Sequence, residues 1–191
     1  ASSRYRELAD YCEAKYSLLT QHTDPEKALP PLLVRQQKAV DLITQCYQQM
    51  HMLSAQNNTD YKRMLRIFQE ALDLQEHISV SLHQPEEVQK LVERSHAEEV
   101  IRWNAQTVAA RLRVLADDIL YHRLPTRFTM EKQIGALEKI ARQHPDNPVG
   151  QFCYWHFSRI ARVLRTQKPL YARDLLADKQ RRMPLLPALK S

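Results

Sequence analysis

Two glycines in a chain of 191 residues, Gly135 and Gly150, constrain the fold more than any other feature. Hairpins, bulges and phosphate-binding loops need residues that adopt positive φ freely, and glycine is their usual supplier. So few glycines favour helices. They also exclude dinucleotide-binding and P-loop motifs, whose glycine fingerprints cannot be assembled here. At 43% hydrophobic and 26% charged residues, the chain has ordinary globular composition and enough length for a proper core.

The ten prolines divide the sequence. Pro25, Pro30, Pro31, Pro85, Pro125, Pro145, Pro148, Pro169, Pro184 and Pro187 are all expected between apolar-periodic stretches, because proline breaks a helix interior. The first stretch carries Tyr5, Leu8, Cys12, Tyr16 and Leu19 on one face. A second, starting near Pro31, carries Val40, Ile43, Tyr47 and Met50. A third follows Thr59, a candidate cap, with Met64, Phe68, Ala71, Ile78 and Leu82.

The fourth stretch, about 86–122, reads as one long helix opened by Pro85, Glu86 and Glu87. Its later half runs Ile101, Ala105, Val108, Leu112, Leu115, Ile119, a 4-3-4-3-4 series. That spacing predicts a coiled-coil-like seam against an antiparallel neighbour. The polar 94–99 stretch on the same face marks a place where this helix bends or leaves the core. Two shorter helices follow, one with Met130, Ile134, Leu137 and Ile140, the other with Phe152, His156, Ile160 and Val163 or Leu164. The turn between them resembles a tetratricopeptide boundary, but no 34-residue period repeats, so it reads as a helical hairpin. The expected fold is all-α, an antiparallel bundle of about six to seven helices. Residues 1–168 would form one domain and 169–191 a basic, proline-containing tail with a weak helical piece, extended beyond Met183.

Catalytic chemistry is hard to place on these residues. No His-Glu-x-x-His or Cys-x-x-Cys occurs, and His96 with Glu99 is an i,i+3 pair lacking a second helix to complete a di-metal site. Cys153 and His156 are also neighbours at i,i+3, but their aromatic surroundings would raise a thiol pKa. Asp117 and Asp118 point to different faces and read as solvated. Three widely spaced cysteines, Cys12, Cys46 and Cys153, suggest buried free thiols in a reducing compartment. No catalytic residue, metal site or cofactor is expected, and the chain does not read as an enzyme.

The net charge of +6 is localised. Between Arg159 and Arg182 stand eight basic residues, Arg159, Arg162, Arg165, Lys168, Arg173, Lys179, Arg181 and Arg182, against Asp174 and Asp178. The rest of the chain is balanced. A basic stripe of this kind suits nucleic acid or anionic lipid, but interleaved exposed aromatics and a recognition-helix motif are missing. The cluster that ends in Lys179-Gln180-Arg181-Arg182 therefore reads as membrane-proximal, although no run of about 18 apolar residues spans a bilayer and no signal peptide is visible. A free-standing adaptor that binds protein or nucleic acid through this stripe is the alternative.

Three segments carry a resemblance: 4–15 (RYRELADYCEAK), 94–101 (RSHAEEVI) running into 112–120, and 171–176 (YARDLL). In their order the chain resembles the soluble domain of the YccS/YhfK-type FUSC-like inner membrane proteins, relatives of fusaric-acid-resistance and aromatic-acid efflux proteins, and is nearer the YhfK type. The resemblance implies a cytoplasmic helical region between two membrane-embedded halves, with those halves as its partners. Anionic lipid head groups and self-association are further partners it allows, and nucleic acid is not expected. It implies no substrate-binding residue within this segment.

Overall fold

The computed structural model describes residues 2–20, 25–54, 59–79, 85–121 and 123–182. Seven helices follow one another: α1 (Ser2–Thr20), α2 (Pro25–Ser54), α3 (Thr59–Ser79), α4 (Pro85–Arg94), α5 (Ala97–Leu120), α6 (Glu131–Gln143) and α7 (Pro148–Arg182). Strands are absent among the described residues, so the all-helical expectation holds.

Proline placement explains three of the starts. Pro25, Pro85 and Pro148 open α2, α4 and α7, at the one helical position where the missing N–H costs nothing. Pro125 and Pro145 also lie between helices, but at three other positions the rule fails. Pro30 and Pro31 lie inside α2, and Pro169 lies inside α7. These helices continue although each proline removes one i→i−4 bond. The second helix thus begins at Pro25 rather than near Pro31, and α7 passes through the boundary expected at residue 168. Residues 183–191, expected to be extended, lie outside the described residues.

The single long helix over 86–122 is two helices. Ser95 explains the break: its Oγ donates to the Leu91 carbonyl at 2.7 Å and accepts the Ala97 N–H at 3.2 Å. One hydroxyl thereby closes α4 and supports the start of α5, in competition with the backbone ladder.

The core is built along α1 and α5. Tyr5, Leu8, Cys12 and Tyr16 of α1 are buried, as are Ile101, Ala105, Val108, Leu112 and Leu115 of α5, with Ile119 packed at the margin. The two helices run antiparallel. Arg6 meets Asp117, and Asp10 and Glu13 meet Arg113, so rising numbers on α1 pair with falling numbers on α5. The α5 seam therefore has the antiparallel partner that its spacing predicts. Ile67, Ala71, Leu74 and Ile78 of α3 and Phe157, Ile160 and Leu164 of α7 complete the core.

Helix α2 departs from expectation. Val40 and Tyr47, predicted on its buried stripe, are exposed, together with Leu33, Val34 and Met52. Ion pairs Lys38–Glu7 (2.9 Å) and Arg35–Asp10 (4.0 Å) help hold α2 to α1. On the third helix, Phe68, Ala71 and Ile78 are buried as predicted.

The α6–α7 hairpin is closed by Asn147. Its Oδ1 accepts the N–H groups of Val149 (3.0 Å) and Gly150 (3.2 Å), while its Nδ2 donates to the Glu87 carbonyl (3.0 Å). One side chain caps α7 and ties it to α4. Gln151 Nε2 donates to the Ala141 carbonyl at 2.7 Å, joining the two arms. Asn104, fully buried on α5, donates to the carbonyls of Val100 and Gln133, each at 2.9 Å, and so fixes α6.

Candidate functional site

The basic residues of α7 fall into two groups. Arg159, Arg162 and Arg165 are exposed on the helix surface. Arg159 lies over the Trp155 ring at 5.1 Å, a cation–π contact one turn along the same helix. Lys168, Arg173, Lys179, Arg181 and Arg182 belong to the same helix, but their side chains lie outside those described.

Arg162 and Arg165 line a cavity of about 310 Å³ between α7, the 123–130 segment and the start of α6, with Phe128, Thr129, Ser158 and Glu131. A smaller cavity of about 140 Å³ shares Phe128, Thr129, Glu131 and Arg165 and adds Arg111 and Arg127. Both sit where the amino-terminal end of α6 opens toward α7.

Arg111 is the residue that sequence reasoning missed. It is 5% exposed, among the most buried charges in the molecule. Its Nη1 and Nη2 donate to Thr126 Oγ1 (3.3 Å) and the Thr126 carbonyl (3.0 Å), and its guanidinium lies 5.2 Å from the Phe128 ring centre. Nε has no partner. Burial lowers its pKa from the usual guanidinium range, and the nearby Asp118 carboxylate opposes that shift. Asp118 is itself 4% exposed, and burial raises its pKa against the pull of Arg123 and Arg111. The expectation that Asp117 and Asp118 are both solvated is thus wrong for Asp118, while Asp117 pairs with Arg6 at 2.7 Å. A signal did exist. Arg111 and Asp118 stand seven residues apart on the face that carries Val108 and Leu115, so both had to enter the interior with it.

The Cys153–His156 pair offers no activated nucleophile. Burial pushes the Cys153 thiol up to about 12 and the His156 imidazole down to about 3, the latter also opposed by the Lys15 charge. Thiolate and imidazolium are both disfavoured, which works against the ion pair that activates a catalytic cysteine. His156 instead stacks on Phe152 at 5.1 Å and touches Phe157 and Tyr16. His96 and Glu99 are exposed at the start of α5, and no cluster of three metal-ligating side chains occurs among the described residues.

A third cavity, of about 480 Å³, lies between α1 and α5 and is lined by Glu13, Tyr16, Ser17, Arg102, Ala105 and Gln106. Its charges are already paired, Glu13 with Arg113 and Arg102 with Glu98.

Among the described residues no helix is long and apolar enough to cross a membrane. No solved structure matches this chain. The family model described as FUSC-like inner membrane protein yccS matches residues 2–175, which covers nearly all of the helical array built above. This chain belongs to the FUSC-like inner membrane protein family.

Proposed function

We propose that this chain is a non-catalytic, cytoplasmic helical unit of a transporter-like inner membrane protein, acting as a scaffold or regulatory module between two membrane-embedded halves. The observation that carries the reading is the charge of α7. A net +6 between Arg159 and Arg182 is concentrated on one helix, in a family of inner membrane proteins and in a chain otherwise neutral. Basic residues flanking a membrane segment favour the cytoplasmic side and attract anionic head groups, by about 1 kcal/mol each near the surface. The nearer affinity to the YhfK type rests on the 4–15, 94–101 and 171–176 segments.

In this reading the unit's partners are the membrane-embedded parts of its own protein, anionic lipid and a second copy. The neutral Cys153–His156 pair supports a role without catalysis. Topology mapping tests the proposal: a reporter fused near Lys190 of the full-length protein should read cytoplasmic. A periplasmic reading overturns it.

A further inference from the structure

We infer that the cleft between the amino-terminal end of α6 and the 158–165 face of α7 is a binding site for a phosphate-type oxyanion. Arg111, Arg127 and Arg165 line its inner cavity and Arg162 its outer one. Three arginines around the inner cavity, with Arg162 on its neighbour, favour an anion between them, and planar guanidinium forks match phosphate oxygens.

The acids nearby, Asp118 beside Arg111 and Glu131 on both cavities among them, offset only part of this charge. Glu138 pairs with Arg142 at 2.6 Å and Asp118 with Arg123 at 3.5 Å. Glu131 is the one carboxylate lining the inner cavity among the described residues. Arg127, Arg162 and Arg165 have no acidic partner among the described residues.

Three further observations point to a ligand. Arg111 is nineteen-twentieths buried and lines the inner cavity, held there by its Nη1 and Nη2 bonds to Thr126. A buried guanidinium is costly without an anion beside it, and Asp118 opposes only part of that cost. Ser158 lines the outer cavity. The α6 start lacks a side-chain cap, because its cap residue is Met130, so the first-turn N–H groups have no side-chain acceptor. Such a helix end, with its positive dipole, suits an oxyanion. Thr129, at the rim of both cavities, adds a hydroxyl donor.

The same chemistry is presented by free phosphate and by a phospholipid head group. Titration calorimetry of the 191-residue chain with inorganic phosphate at low ionic strength is one arm. Co-sedimentation with vesicles of phosphatidylcholine alone and of an equimolar phosphatidylcholine–phosphatidylglycerol mixture is the other. Arg127→Gln/Arg165→Gln changes two exposed side chains, should leave the fold intact by circular dichroism, and should weaken binding at least about tenfold through lost charged hydrogen bonds. Lysine at both positions should restore part of it. Saturable phosphate binding lost in the glutamine variant supports the site with a free anion as its source. Binding only to anionic vesicles, lost in the same variant, supports it with lipid as the source. Absence of binding in both arms overturns the inference, as does binding that the glutamine variant retains. These arms do not depend on membrane topology, so the site and the cytoplasmic reading can fail separately.

Discussion

Arg113 of α5 grips Glu13 of α1 with both arms of its guanidinium: Nη1 donates to Oε1 at 3.0 Å and Nη2 to Oε2 at 2.7 Å. Nη2 also donates to Asp10 Oδ1 at 2.7 Å, and these hydrogen bonds raise the arginine's pKa. One cation thus pins two successive turns of α1 and fixes the register of the antiparallel pair. Both partners are more than a third exposed, so solvent screening limits the strength. A double-mutant cycle of Arg113→Ala with Glu13→Ala should give a coupling of about 0.5–1 kcal/mol, falling with added salt. Lysine at 113 should recover less than half of it, because one ammonium cannot make the fork.

Acid should unfold the protein through His156. Its pKa is about 3 in the folded chain against 6.5 for the ordinary imidazole. Between those values the unfolded chain binds a proton that the folded chain refuses. Its contribution is therefore intact above pH 6.5 and is lost as pH falls toward 3, by up to about 5 kcal/mol. His156→Phe, placed among Phe152, Phe157 and Tyr16, should flatten that dependence in urea melts at pH 4 and 7. An unchanged slope would assign acid sensitivity to other groups.

Thiol chemistry should separate the three cysteines. Cys12 and Cys153 are buried with pKa values near 12, whereas Cys46 is half-buried on α2. At pH 8 a disulfide reagent should titrate one thiol in the native chain and three in urea. Cys46→Ser should abolish the native reaction.

Gly135 stands exposed within α6, and a Cβ built there meets no atom within 4 Å. Gly135→Ala should stabilise the protein by about 0.5–1 kcal/mol, because glycine loses more backbone freedom in a helix and no space is contested. Thermal unfolding would register this as a higher midpoint. Gly135 lines the outer cavity, but the added Cβ meets none of its arginines within 4 Å.

Truncating the seam should be far more damaging. Leu112 is fully buried between α1 and α5, so Leu112→Ala should cost about 3–4 kcal/mol in chemical denaturation. Val114, 42% exposed on the same helix, should tolerate alanine within about 0.5 kcal/mol.

Much of this fold is written in short-range pattern. The 4-3-4-3-4 spacing from Ile101 to Ile119 names the buried face of α5, and Asn147-Pro148 names a helix start, because each acts within a turn or two of chain. The location of the basic run on one helix was equally legible, since charge counts need no contacts. Other features depended on neighbours. Val40 and Tyr47 satisfy a helical period yet face outward, because a period selects a face and the partner decides whether that face is covered. The polar 94–99 stretch marked where the long helix bends, but that it breaks there was decided by the Ser95 hydrogen bonds that compete with the ladder.

The candidate cleft divides the same way. By itself the sequence determined a helical chain, a neutral body, and a row of arginines at 159, 162 and 165 on one helix surface. Only the tertiary structure decided that Arg162 and Arg165 should meet Arg111 and Arg127, from another helix and from the segment before α6, around the uncapped end of α6. The reason is physical: side-chain period and charge are carried by neighbours along the chain. Convergence of like charges more than thirty residues apart is set by how α5, α6 and α7 pack.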